Sequence, residues 1–133
     1  MNLVIDANIL FAILIKEGKT EELLYEHKLY GPEFLFTEFD KYRTLILEKT
    51  KRKEEDFDKL LEILKRRIEL VPNKETNGFM EEAQKICADK KDIDYFCLAL
   101  MKDCSIWSND KKMREQTKVI IYSTQELARI LDG

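Results

Sequence analysis

Histidine is almost missing from this chain. His27 is the only one among 133 residues, so a histidine-rich metal centre is excluded. It is expected on a solvated helix face. Cysteine is scarce and odd in number: Cys87, Cys97 and Cys104 form no Cys-x-x-Cys pair. That argues against a disulfide framework and a structural zinc site, and for reduced core thiols. With 4 glycines and 2 prolines the chain is neither collagen-like nor low-complexity. No apolar run approaches the roughly 20 residues that span a bilayer. The apolar stretch Ile9 to Ile15 is too short, and neither a basic leader nor a small-residue cleavage site accompanies it. No signal peptide is expected, and the expected compartment is the cytoplasm. Excess positive charge is absent too: 23 basic against 26 acidic residues give a net charge of −3. This excludes a nucleic-acid binder whose whole surface is basic, and leaves room for a local basic patch.

What is present is core material. Hydrophobic residues make up 44% and charged residues 37%, enough for one core in a single domain over 1–133. Asn2 to Ile5 reads as a buried strand stopped by Asp6, and Ala7 to Lys16 as an apolar helix ended by Gly18. A helix over Thr20 to Leu29 is expected to stop at Gly31-Pro32, with a second strand at Glu33 to Phe36. Thr37 opens a helix carrying Phe39, Tyr42, Leu45, Ile46 and Lys49. Asp56 to Arg67 is amphipathic, Ile68 to Val71 a third strand, and Glu75 to Ala88 a helix weakened by Gly78. Asp92 to Asp103 is a more apolar helix and Ser105 to Ser108 a short strand. Lys111 to Gln116 makes a polar turn or two, Lys118 to Tyr122 a β-rich run, and Ser123-Thr124 caps a last helix. Such alternation predicts an α/β fold. Its form is a three-layer α/β/α sandwich around a mainly parallel sheet of four to five strands.

Sites in open parallel sheets lie beyond the carboxyl ends of the strands. Asp6 ends the first strand, Glu38 lies just into the helix after the second, Asp94 opens the apolar helix, and Asp110 follows the strand at Ser105 to Ser108. Taken singly, each has a structural explanation as a turn residue, a helix-dipole charge or an N-cap. Converging carboxylates repel and persist only when protons or cations compensate them. An all-oxygen donor set suits Mg²⁺ or Mn²⁺, which would activate water and stabilise charge on a phosphoryl group. The implied chemistry is phosphodiester hydrolysis.

Four segments, in order, resemble the motifs of PIN-domain nucleases: Leu3-Val4-Ile5-Asp6-Ala7-Asn8, Thr37-Glu38-Phe39-Asp40-Lys41-Tyr42-Arg43, Asp92-Ile93-Asp94-Tyr95-Phe96-Cys97-Leu98-Ala99-Leu100 and Ile106-Trp107-Ser108-Asn109-Asp110-Lys111-Lys112. The resemblance covers essentially the whole chain. It implies a metal-dependent endoribonuclease acting on single-stranded RNA, frequent homodimers and, among small members of the VapC type, a toxin occluded by an antitoxin protein. It implies Asp6, Glu38, Asp94 and Asp110 as metal-binding and catalytic acids, Asp94 being preferred to Asp92 by its offset. Asn8, Asp92 and Ser108 would support them. Lys41, Arg43, Lys111, Lys112 and Arg114 would form a basic rim for RNA. Lys112 departs from the pattern, standing where many members carry a further acid, so a second cation would have fewer ligands. Trp107 and Tyr95 lie in apolar elements and are expected in the core.

Three other readings compete. A phosphoacceptor receiver domain would need an acid ending the third strand, where Val71-Pro72-Asn73 stands, and a lysine ending the fifth, where Tyr122-Ser123 stands. Against a non-catalytic module of the same fold, binding RNA or protein, stand the four retained acids, while the missing acid at Lys112 leaves it open. A nuclease of RNA processing differs from a toxin only in biology.

Overall fold

The computed structural model describes residues 1–15, 19–50 and 52–132, without the side chains of Lys19 and Glu38. Five strands form one sheet: β1 (Asn2–Ile5), β2 (Lys28–Pro32), β3 (Ile68–Val71), β4 (Ser105–Trp107) and β5 (Ile121–Tyr122). Their order is β3-β2-β1-β4-β5 and every pairing is parallel. Among the described residues eight α-helices accompany them: α1 (Ala7–Ile15), α2 (Lys19–Glu26), α3 (Thr37–Thr50), α4 (Glu54–Arg67), α5 (Asn73–Thr76), α6 (Met80–Ile86), α7 (Ile93–Lys102) and, after β5, α8 (Thr124–Asp132). One helical layer contains α1, α2, α3 and α8. On the other face α7 lies against β1, β2 and β4, with α5 and α6 packed on it. This is the three-layer α/β/α sandwich expected from the alternation.

Sequence chemistry accounts for most elements. On α4, Phe57, Leu60, Leu61 and Leu64 form the buried stripe, while Glu54, Glu55 and Asp56 open the helix and Lys65, Arg66 and Arg67 close it. That charge order complements the helix dipole. Ser123 and Glu126 cap α8 reciprocally: the Ser123 amide donates to Glu126 Oε1 at 3.0 Å, and the Glu126 amide donates to Ser123 Oγ at 3.1 Å. Trp107 is fully buried and Tyr95 nearly so, as expected of core residues. All three cysteines are free thiols.

Four segments depart from the sequence reading. The second strand is Lys28–Pro32, not Glu33 to Phe36, which forms a turn, and α2 stops at Glu26. Gly31-Pro32 ends a buried strand rather than a helix. Gly31 lets the turn fold back closely, since a Cβ there would stand 2.5 Å from Leu35 Cδ2. Pro32 sits last in its strand, where a missing donor costs least. The helix expected over Glu75 to Ala88 is broken into α5 and α6 by a 3₁₀ turn at Asn77–Phe79, around Gly78. The β-rich run from Lys118 contributes only Ile121 and Tyr122 to the sheet. The Gln116 side chain satisfies the preceding backbone instead, bonding both the amide and carbonyl of Val119 at 2.8 Å. His27 lies between α2 and β2 rather than on a helix face, its Nδ1 3.3 Å from the terminal amine. The expected helix end at Lys16 to Gly18 lies outside the described residues.

Candidate active site

β1 is flanked by β2 on one side and β4 on the other, so the chain reverses its direction of travel across the sheet there. Crevices at such switch points, beyond the carboxyl ends of the strands, are where open α/β sheets bind ligands. Asp6 and Ser108 are the first residues past the two central strands. The Asp6 amide continues the ladder by donating to the Trp107 carbonyl at 3.0 Å. Asp6 is 4% exposed and Ser108 fully buried. The Ser108 hydroxyl donates to Asp6 Oδ2 at 2.7 Å and accepts from the Asp110 amide at 3.0 Å. One hydroxyl thereby fixes two candidate acids relative to each other. The Asn8 amide also donates to Asp6 Oδ1, at 3.3 Å, and the Ala7 amide donates to the Tyr95 hydroxyl at 3.2 Å, tying the start of α1 to α7. Asn8 acts here through its backbone.

Charge and burial shift the carboxyls around Asp6. Burial raises the Asp6 carboxyl above its ordinary value, the bonds from Ser108 and Asn8 lower it, and the charge of Asp110 raises it. The Asp92 carboxyl is pushed up to about 6, first by burial, then by the charges of Asp6, Asp110 and Asp89, while Lys112 opposes the shift. Asp92 lines the same cleft as Asp6, and the charges of Asp6 and Asp110 reach it. The Asp94 carboxyl is raised by burial and then by Glu33, the residue after β2. The 3₁₀ turn Lys90–Asp92 precedes α7 and places Asp92 on the cleft that Asp6 also lines, while Asp94, the acid favoured by its offset, lies in the first turn of α7. Glu38 lies in the first turn of α3, and its side chain is outside the described residues.

The basic rim divides. Lys112 is close enough to Asp92 to act on its charge, and Lys111 and Lys41 are exposed. Arg43 is committed elsewhere: it bridges Glu54 at 3.0 Å and Asp58 at 2.7 Å and lies over the Phe57 ring, joining α3 to α4. Arg114 is paired with Glu126 and donates to the Ile121 carbonyl at 3.2 Å. The geometry therefore does not bring these two arginines to the acids.

The loop carrying Asp110 has a support that sequence reading did not single out. Thr124 Oγ1 accepts from Trp107 Nε1 at 3.0 Å and from Asn109 Nδ2 at 3.3 Å, and its amide donates to Asn109 Oδ1 at 2.9 Å. Beside the acids opens a cleft of about 700 Å³ between α1 and α3, also reached by Lys49 and Lys91. Neither lysine lies in a recognisable motif, which is why sequence reading passed over them.

The donor chemistry of Asp6, Asp92 and Asp110 fits a hard divalent cation, which would relieve the mutual repulsion that raises Asp6 and Asp92. Among the described residues no three acidic, cysteine or histidine side chains stand close enough together to enclose an ion. Closure around a cation therefore requires side-chain movement.

Comparison with known proteins agrees with this architecture. A chain in the crystal structure of VapBC2 from Rickettsia felis bound to a DNA fragment from their promoter superposes with a TM-score of 0.62 at 15% identity, over 92% of this chain and 98% of that one. Likeness at that identity establishes the fold. Among curated proteins none matches. The family model described as PIN domain matches residues 4–128, from within β1 into α8, and includes the acids named above. The chain belongs to the PIN-domain family.

Proposed function

We propose that the protein is an endoribonuclease that hydrolyses phosphodiester bonds in single-stranded RNA with Mg²⁺ or Mn²⁺. The observation that carries this reading is the placement of Asp6 and Asp92 on one cleft at the switch point of a parallel sheet, with Asp110 tied to Asp6 through Ser108. Membership of a family whose domains are generally nucleases supports it.

In this reading Asp6, Asp92 and Asp110 hold the cation, with Glu38 as a further acid from the start of α3. When bound, the cation lowers the pKa of a water and stabilises charge on the phosphate. Ser108 keeps Asp6 and Asp110 aligned at 2.7 and 3.0 Å, and the Asn8 amide steadies the other Asp6 oxygen. Lys112 offsets part of the negative charge at Asp92, easing approach of a phosphodiester. Lys41 and Lys111 extend the basic rim.

Cleavage of single-stranded RNA by the purified protein with Mg²⁺ or Mn²⁺ tests the reading, beside EDTA and Asp6→Asn controls. Metal-dependent cleavage lost in the variant is expected. No cleavage together with no Mn²⁺ binding by calorimetry would move the protein to a non-catalytic binding role. The likeness to a VapBC2 chain favours the toxin of a toxin–antitoxin pair over an RNA-processing nuclease; a homodimer in the cytoplasm belongs to the same proposal. Growth arrest on expression, relieved by Asp6→Asn, separates the two.

A further inference from the structure

The cleft beside the acids has a wall that carboxylate chemistry does not use. Phe11 and Ile15 of α1 face Tyr42 and Leu45 of α3, and Lys49 and Lys91 stand at its rim. Three of these apolar side chains are unusually open for their size: Ile15 is 46%, Tyr42 43% and Leu45 46% exposed. They lie along one cleft rather than scattered singly, the pattern that marks a binding surface. Its volume of about 700 Å³ falls within the range of small-ligand sites. The Tyr42 ring is propped edge-to-face against Phe11, with centroids 6.0 Å apart, and Phe11 packs on Phe39 at 4.7 Å. The exposed tyrosine therefore stands on a fixed base.

Charge selects the occupant. The chain is acidic overall, yet the two cations at this rim, Lys49 and Lys91, have no acidic partner among the described residues. The arginines near α3 and β5, by contrast, are paired: Arg43 with Glu54 and Asp58, and Arg114 with Glu126. An open aromatic ring flanked by unpaired lysines suits single-stranded nucleic acid, whose bases stack while its phosphates meet the cations. A purely apolar peptide would gain nothing from the lysines.

We propose that this cleft is the base-binding subsite for the substrate strand. Tyr42 stacks on an unpaired base next to the scissile phosphate, and Lys49 and Lys91 contact the flanking phosphates. The inference rests on the nuclease reading for the position of the scissile phosphate. It also explains a preference for single strands, because bases inside a duplex are already stacked and cannot enter.

The test measures anisotropy of a short labelled RNA, single-stranded or annealed to its complement, on the cleavage-deficient Asp6→Asn protein. Adding Tyr42→Ala should weaken single-strand binding by about 5- to 150-fold, and Tyr42→Trp should preserve it. Lys49→Gln and Lys91→Gln should each reduce the salt dependence of log K by about one phosphate contact. Duplex binding should not respond to Tyr42. Single-strand affinity unmoved by Tyr42→Ala overturns the proposal and leaves the cleft to an apolar protein segment; absence of measurable RNA binding overturns it too. Parallel cleavage assays separate the two ideas. Cleavage with Tyr42-independent affinity sinks the subsite alone. Tyr42-dependent binding without cleavage by the unmodified protein sinks the nuclease reading alone.

Discussion

Asp92 gives the sharpest test, because its carboxyl is held near 6 in the fold against 3.8 in an open chain. An acid raised on folding binds more protons in the native state than in the unfolded one. Stability therefore falls as pH rises through the interval between the two values. The shift of a little over two units corresponds to a ceiling of about 3 kcal/mol. The group is only half-buried, so solvent screening brings the expected cost to about 1–2 kcal/mol. Asp92→Asn removes that cost. Relative to the unmodified protein, its stability gain should be near zero at pH 4, grow across pH 4 to 6.5, and stay constant above. At pH 8 this is a rise in Tm of about 3–6 °C for a domain of this size. Saturating Mn²⁺ should shrink the gap, since the cation stabilises only the protein that retains the carboxylate. Thermal unfolding by circular dichroism at a series of pH values, with and without Mn²⁺, reads both effects. In the same proteins Asp92→Asn should cost at least about 100-fold in RNA cleavage if the acid holds the metal. A Tm difference that does not change with pH would refute the electrostatic argument. A fully active Asp92→Asn beside an inactive Asp94→Asn would return the third acid to the position favoured by sequence offset.

Other consequences follow from the same geometry. Ser108→Ala leaves the buried Asp6 carboxylate without its 2.7 Å donor, so it should cost about 1–3 kcal/mol at pH 8 in urea unfolding. Because the serine bond lowers the Asp6 pKa, its loss should matter less in acid, where Asp6 is protonated. Thr124→Val removes the acceptor of the Trp107 indole and frees Asn109, and should cost about 1–3 kcal/mol while lowering kcat more than it raises KM; Thr124→Ser should restore both. Arg43→Ala should leave the KM for RNA unchanged, since its guanidinium is spent on Glu54 and Asp58, whereas Lys112→Ala should raise KM; steady-state cleavage distinguishes the two.

The legible parts of this fold were those governed by local chemistry. β1, α1, α4, β3 and β4 follow from short apolar runs, helical spacing and charged helix ends, which act within a few residues. Asp6 and Asp110 were legible as candidates because each lies directly past an apolar strand. The misread strand at Lys28–Pro32 shows where local signals stop. Leu29 and Tyr30 carry the same apolar signal in a helix as in a strand, and only pairing with both β1 and β3 decides between them.

The sequence by itself determined an α/β fold with a parallel sheet and a set of acids at strand ends. The tertiary structure decided which residues share a cleft. Asp92 and Asp94 are two residues apart, and a 3₁₀ turn before α7 places Asp92 on the cleft lined by Asp6, with Asp94 in the first turn of the helix. It likewise decided which cations are available, pairing Arg43 and Arg114 and leaving Lys49 and Lys91 at the cleft. Electrostatic and packing energies depend on distances between elements far apart in the chain, and those distances exist only once the sheet has assembled.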